Sequence, residues 1–412
     1  MRDGQARERA DRQHPPALIA RTGTPIGLAI ARDLRGSGVP VVGASLNPED
    51  PTCRSNMWHS VLRVPEPTEE AWLATLDEAH SRYGRMMLIP ADDMMVRIVA
   101  ENSAELSTRF DFVMPDLATV TRLLDKSAFH EWALANEFPV PETLIVESFS
   151  ELRAAVREIG FPVMFKPFER TLKWQELSPL KVFRFDGAAD IDRLTFDPFD
   201  AAGRFVVQEF IPGRDSDVYF CLTYRNREQE ELAALVGRKI SQWPVDTGNT
   251  ALAVTHDDAD LHKLTRRLLD ATGHVGFGAV EVRRSSRDGR MVITEPTVGR
   301  PDLQTSLAAA AGVNLVDLGY RDAIGLSPSP IGQQREAIWV HEIAFLRSAA
   351  VAVRKRTERR TLFDTLRTRR APVCVFFSAR DLRPFVWQIL KMAGRVFGAV
   401  RNVARRESGK SA

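Results

Sequence analysis

The sequence predicts an α/β protein that changes character along its length, with a parallel sheet covered on both faces first and an α+β body after it. Three observations carry this. Short apolar strands alternate with amphipathic segments over the first hundred residues, the pattern of parallel β-α-β units. Beyond about residue 160, β-rich runs follow one another, which antiparallel strands allow. Between two of those runs lies Asp288-Gly289, a strong hairpin signal.

The elements follow in order. Residues 1–15 are charged, lack the apolar core of a secretory signal and read as a disordered leader. ALIA (Ala17–Ala20) is a strand, and Leu28, Ala31 and Leu34 are spaced as one face of a helix that Gly36 and Gly38 end. VPVVGAS (Val39–Ser45) completes the first unit, and further strands are expected at Met86–Ile89 and Phe112–Val113, with helices near Glu69–Tyr83 and Met94–Leu106. The Gly23–Gly27 turn is GxxxG rather than GxGxxG, and no acidic residue closes the second strand, so it reads as an eased strand-to-helix turn and not as a dinucleotide loop. Pro115–Phe149 reads as helical, 150–159 as a helix, Phe161–Pro167 as a strand, and Phe168–Leu180 as irregular. Strands are expected at Val182–Phe185, Phe205–Phe210, Val218–Tyr224 and Ala233–Val236, then a helix at Asp258–Thr272 and the hairpin GFGAVEVRR/MVITEP. Helices at Gln304–Gly312 and Leu315–Gly325 close the body, and Ser327-Pro-Ser-Pro330 marks a boundary.

Composition narrows the class of function. With 44% hydrophobic and 27% charged residues the chain is an ordinary globular protein, neither disordered nor fibrous. Apolar runs such as Ala371–Phe377 are far shorter than the ~18–20 residues that span a bilayer. Cys53, Cys221 and Cys374 lie far apart without a CxxC pair, which fits a reducing, cytoplasmic setting and argues against structural zinc. No HExxH, Ser-His-Asp or Cys-His pattern points to a hydrolase. The net charge of +2 hides an asymmetry: residues 331–412 hold 18 Lys+Arg against 6 Asp+Glu, leaving the rest acidic. That tail is expected to have a partner of its own.

Four motifs stand in order: LLDKSAFHEWALANEFPVPET (Leu123–Thr143), IGFPVMFKP (Ile159–Pro167), VVQEFIPGRDSD (Val206–Asp217) and GFGAVEVRRSSRDGRMVITEPTVGR (Gly276–Arg300). Lys166 ends an otherwise apolar strand, where an ammonium needs an anion, and a phosphate suits its compact charge. Glu281 and Glu295 lie on the two arms of the predicted hairpin, where two close carboxylates invite a cation such as Mg²⁺. Together the motifs resemble the ATP-grasp ligases, especially the carboxylate–amine ligases related to biotin carboxylase and carbamoyl-phosphate synthase, over about residues 16–326.

The resemblance implies a biotin-carboxylase-like N-terminal α/β domain (16–115), a first ATP-grasp lobe (116–205), a second lobe with the metal site (206–326) and a basic extension (327–412). It implies that Lys126 and Lys166 hold ATP phosphates, and that the main chain of Phe210 and Ile211, in the hinge Gln208-Glu209-Phe210-Ile211, meets the adenine edge, with Glu209 accepting from its amino group. Asp215 or Asp217 would take the ribose, and Arg238 or Lys239 would approach the phosphates. Glu281, Glu295 and Thr297 would hold Mg²⁺ or Mn²⁺, Arg300 would meet the reacting groups, and Gly248–Thr250 would lie near the acceptor. The expected reaction joins a small-molecule carboxylate to an amine through an acylphosphate, without nucleic acid.

Two departures accompany this. Thr297 stands where the family has Asn, with Arg300 one residue late, and the stretch after Lys166 lacks the glycines of a phosphate-covering loop, although Arg170, Thr171, Lys173 and Ser178 offer donors. A nucleotide-binding protein without turnover is therefore the alternative. In the tail, residues 384–406 form an amphipathic helix with a stripe of Phe385, Ile389, Ala393, Val396, Val400 and Val403, widened by Val386, Leu390 and Phe397. It would either pack on the body or rest on the inner membrane face as a peripheral contact, the latter making the protein a membrane-recruited interaction partner. The basic run 354–360 has no interleaved aromatic residues, so nucleic acid is not expected there.

Overall fold

Strand alternation and burial sort the chain into three sheets around one cleft. The structure is a computed structural model and describes residues 14–168, 171–178, 182–246, 248–353, 367 and 372–394. The leader to residue 13, Arg170, the run 354–360 and the tail helix beyond Gly394 lie outside these residues. The first sheet is wholly parallel: β1 (Ala17–Ala20), β2 (Val41–Ser45), β3 (Ser60–Arg63), β4 (Met86–Pro90) and β5 (Phe110–Asp111), in the order β3-β2-β1-β4-β5. β1, β2 and β4 are buried along their whole length, as strands covered on both faces must be. The helix Pro25–Gly36 starts where Thr24 accepts from the Gly27 N–H at 3.0 Å, with Pro25 fixing the first turn. A Cβ on Gly27 would lie 2.9 Å from the Thr22 Cα, so the turn needs that glycine for close approach.

The second sheet is antiparallel, with β6 (Thr143–Val146), β7 (Val163–Pro167), β8 (Phe183–Phe185) and β9 (Phe205–Glu209) in the order β6-β9-β7-β8. Its outer face packs on aromatic rings, Phe165 stacking on Phe205 at 4.4 Å and Trp174 meeting Phe205 edge-on at 5.1 Å. That packing corrects the expectation for Phe168–Leu180. Trp174 is fully buried, and the segment winds into a helix, Leu172–Leu177, capped by Thr171. Likewise Pro115–Phe149 is not all helix, since Thr143–Val146 pairs with β9 as an edge strand. The strand expected at Phe112–Val113 lies at Phe110–Asp111.

The third sheet runs β14-β13-β10-β11-β12-β15-β16, built from β10 (Val218–Arg225), β11 (Glu231–Trp243), β12 (Asn249–Thr255), β13 (Gly276–Arg284), β14 (Met291–Val298), β15 (Ile338–Val340) and β16 (Val373–Cys374). The hairpin read from Asp288-Gly289 joins β13 to β14 as expected, with Gly289 at φ +74°. Residues beyond 326, expected to form an extension, supply β15 and β16 and so belong to this sheet.

The same segment is strapped to the N-terminal domain. Arg32 donates to the carbonyls of Val375 and Phe376 at 2.7 and 2.8 Å and to the Asp381 carboxylate at 3.2 Å. Asp381, 1% exposed, also accepts from the Ser55 hydroxyl at 2.7 Å and the Asn56 N–H at 3.1 Å. Glu342 accepts from the N–H groups of Phe376 and Phe377. Removing one partner of such a buried pair leaves the other uncompensated. Asp381→Ala is therefore expected to lower unfolding free energy by about 3 kcal/mol, read as a drop in the thermal midpoint; an unchanged midpoint would show that the strap adds nothing to stability.

Candidate functional site

A cleft of about 1000 Å³ opens between the second and third sheets, and the N-terminal domain and the strap close its far end. The pleat decides what it contains. On β7, Met164 and Lys166 share one face while Val163 and Phe165 bury the other. Gln208 pairs with Met164 on β9, and the Lys166 Nζ donates to its Oε1 at 3.1 Å. The Gln208 amide in turn donates to the Thr143 hydroxyl at 3.0 Å. Burial, reinforced by the Lys126 charge and partly offset by Glu295, brings the Lys166 ammonium down from 10.5 to about 8. Lys126 stands at the start of the helix Lys126–Ala135, whose first turn Asp125 caps, and its side chain points into the same cleft.

Opposite them, Glu281 on β13 and Glu295 on β14 are direct partners in the ladder. Glu295 opens onto the cleft but sits deep within it, so the surrounding protein first, and then Glu281, raises its pKa. Lys239, 5% exposed, meets Glu281 at 2.5 Å from β11. Of the two basic neighbours weighed from sequence, strand alternation brings Lys239 inward and sends Arg238 outward, where it lies over the Tyr219 ring and donates to the Ser216 carbonyl.

Gly299, at φ +68°, turns the chain out of β14 and delivers Arg300 into the cleft despite its late position. Burial opposes the Arg300 charge, but Asp93 and Asp302 outweigh it and raise its pKa. The bond to Asp93 is 2.6 Å long.

Thr297 lines the cleft, but its hydroxyl donates to Asp302 at 2.8 Å. Among the described residues, no group of three or more His, Cys, Asp or Glu side chains is placed to hold a metal ion. The Glu281–Glu295 pair nonetheless fits Mg²⁺, an ion that takes a few carboxylates and completes its shell with phosphate oxygens and water.

Several assignments change. Asp215 accepts from the Gln242 N–H at 2.7 Å, the Gln242 amide at 3.0 Å and the Asp246 N–H at 2.8 Å, so it pins a loop. Asp217 accepts from the Arg214 N–H at 2.7 Å. Neither lines the cleft, whereas Asp246 does. In the hinge, the Phe210 N–H donates to the Pro162 carbonyl at 3.2 Å and so is not free for an adenine edge, and the Ile211 carbonyl accepts from Arg283 at 3.3 Å. Glu209 is held by Arg290. Thr171 and Lys173 donate to the carbonyls of Ala201 and Asp200, which commits them to the first lobe instead of a phosphate loop.

Gly248, Asn249 and Thr250 do line the cleft. So do residues that sequence reasoning missed: Asp302, Gln304, His341 and Arg347. Asp302 was detectable two residues past Arg300, but the last two lie on the strap, beyond the reach of the motifs.

The chain has the ATP-grasp fold. It is similar to the ADP complex of an N5-carboxyaminoimidazole ribonucleotide synthetase (TM-score 0.63, 13% identity, covering 82% of this chain and 86% of that one). It is also similar to an L-amino acid ligase from Bacillus licheniformis (0.59, 15%, 79% and 79%) and to a biotin carboxylase from Campylobacter jejuni in complex with a β,γ-ATP analogue (0.58, 12%, 78% and 74%). No family model and no curated protein sequence matches the chain.

A neutral amine acylates and an ammonium does not. Labelling of Lys166 by acetic anhydride, followed by peptide mass spectrometry, is expected to rise through a midpoint at about 8, against about 10.4 for an unperturbed lysine. A midpoint at the unperturbed value would show the ammonium to be solvated and unsuited to waiting for an anion.

Proposed function

We propose that this chain is an ATP- and Mg²⁺-dependent ligase that joins a carboxylate to an amine. The observation that carries the reading is the arrangement of charge in the cleft of an ATP-grasp fold. Lys126 and Lys166 face a carboxylate pair, and Arg300 and Lys239 stand beside it. In this reading Lys166, held by Gln208, and Lys126 neutralise the ATP phosphates. Glu281 and Glu295 hold Mg²⁺, which supplies charge neutralisation at the phosphates when bound. Lys239 then orients Glu281. Arg300, positioned by Asp93, faces the substrate carboxylate.

One oxygen of that carboxylate attacks the γ-phosphorus and ADP leaves with the bridging oxygen. The amine then attacks the acyl carbon, phosphate departs, and the amine proton passes to solvent or to the leaving phosphate. Every protein contribution is positioning and charge, with no covalent enzyme intermediate. The neighbours named above as an amino acid ligase and a biotin carboxylase, and the nucleotides bound in the carboxyaminoimidazole ribonucleotide synthetase and the biotin carboxylase, support the reading.

A second reading, nucleotide binding without turnover, is favoured by two observations: the Thr297 hydroxyl is spent on Asp302, and a packed helix replaces the glycine loop. Hydroxylamine trapping separates the two. With ATP, Mg²⁺ and a panel of carboxylic acids, the ligase reading expects hydroxamate formed in step with ADP, reduced about a hundredfold or more in Glu295→Gln. ATP binding without hydroxamate from any acid would support the second reading instead.

A further inference from the structure

The helix over residues 383–394 leaves most of its large apolar side chains on the outside. Pro384 is buried and Phe385 and Gln388 are half-buried, while Lys391 reaches back to Asp50 at 2.9 Å. Phe385 meets Phe377 edge-on at 5.5 Å, and Arg54 lies over the Trp387 ring at 4.9 Å. These contacts fix the rotation of the helix, with Pro384, Phe385 and Gln388 against the protein. Phe385, which heads the stripe read from sequence, packs on the body, and the row that faces outward is instead Leu382, Val386, Ile389 and Leu390, each 49–55% exposed, with Trp387 and Met392 beside them at 44% and 36%. At helical spacing, 382, 386, 389 and 390 form a single row.

A row of this kind in water is costly unless something apolar covers it. The charge of the segment that carries it says what does. Residues 383–412 carry seven Lys and Arg against one Asp or Glu, and residues 331–412 as a whole hold 18 against 6. Of the acidic groups near the helix, Asp50 is paired with Lys391 and Glu49 with Arg54, so neither opposes an anionic partner. An exposed apolar face on a segment whose sequence is this basic matches the interface of an anionic bilayer, where apolar side chains enter the acyl boundary and cations stay with the headgroups.

We propose that this face is a membrane-docking surface for anionic lipid. The contact proposed is peripheral, and among the described residues no helix is long and apolar enough to cross a membrane. The cleft is not part of this surface: none of its lining residues lies on the helix 383–394.

The test is co-sedimentation of the full chain with vesicles of phosphatidylcholine alone and of phosphatidylcholine mixed equally with phosphatidylglycerol. Binding to the mixed vesicles is expected to be more than about tenfold tighter, as several basic groups near the surface would give, and to weaken as salt is added. The double variant Ile389→Glu/Leu390→Glu is expected to lose that binding while keeping its thermal midpoint, because exposed residues support no packing. Three results would overturn the proposal. They are failure to bind anionic vesicles, binding that the double variant retains, and a wild-type dimer that this variant dissolves, which would mean that a second copy covers the face. A large fall in the variant's midpoint would show the stripe to be covered from within and would overturn it equally.

Discussion

Two carboxylates facing each other across a β-ladder repel, and the cleft is organised around that constraint. Glu281 and Glu295 can share one surface only because cations surround them: Lys239 at 2.5 Å from Glu281, Lys126 within reach of Glu295, and Arg300 turned in at the end of β14. The acidic pair in turn explains why basic residues tolerate burial here. Lys239 is almost wholly buried and Arg300 is enclosed by Asp93 and Asp302. Lys166 is the exception, since the neutral Gln208 amide is its hydrogen-bond partner and burial lowers its pKa. Such a group favours the arrival of an anion, which offsets the cost of burying its charge.

Sheet geometry makes this arrangement possible. The period of two along β7, β11 and β13 sends alternate side chains into the cleft, so the second sheet supplies Lys166 and the third supplies Lys239, Glu281 and Glu295. The strap completes the enclosure. Its buried Asp381 binds it to the N-terminal domain, and its His341 and Arg347 form part of the cleft wall. The last helix has a different environment, with its apolar row turned to the outside.

Much of this was legible in the sequence, for identifiable reasons. The parallel sheet could be read because β1, β2 and β4 are continuous apolar runs, and the Glu281–Glu295 pairing because Asp288-Gly289 marks the hairpin. β6 and β15 escaped because their pairing depends on distant partners. The helix Leu172–Leu177 escaped because the burial of Trp174 stabilises it, a tertiary effect that local pattern does not carry. Asp215 and Asp217 misled because a carboxylate that caps a loop and one that binds a ligand look alike until their hydrogen bonds are seen. His341 and Arg347 had no local signal at all.

Calorimetric titration of ATP into the wild type and Lys166→Ala, with and without Mg²⁺, tests the central claim most directly. If the cleft is built around opposed lysines and carboxylates that await a metal-bound polyphosphate, ATP binds the wild type strongly only with Mg²⁺, and the variant loses roughly thirtyfold or more in affinity. A folded wild type that takes up no ATP in either condition, or a variant that binds as the wild type does, would contradict it.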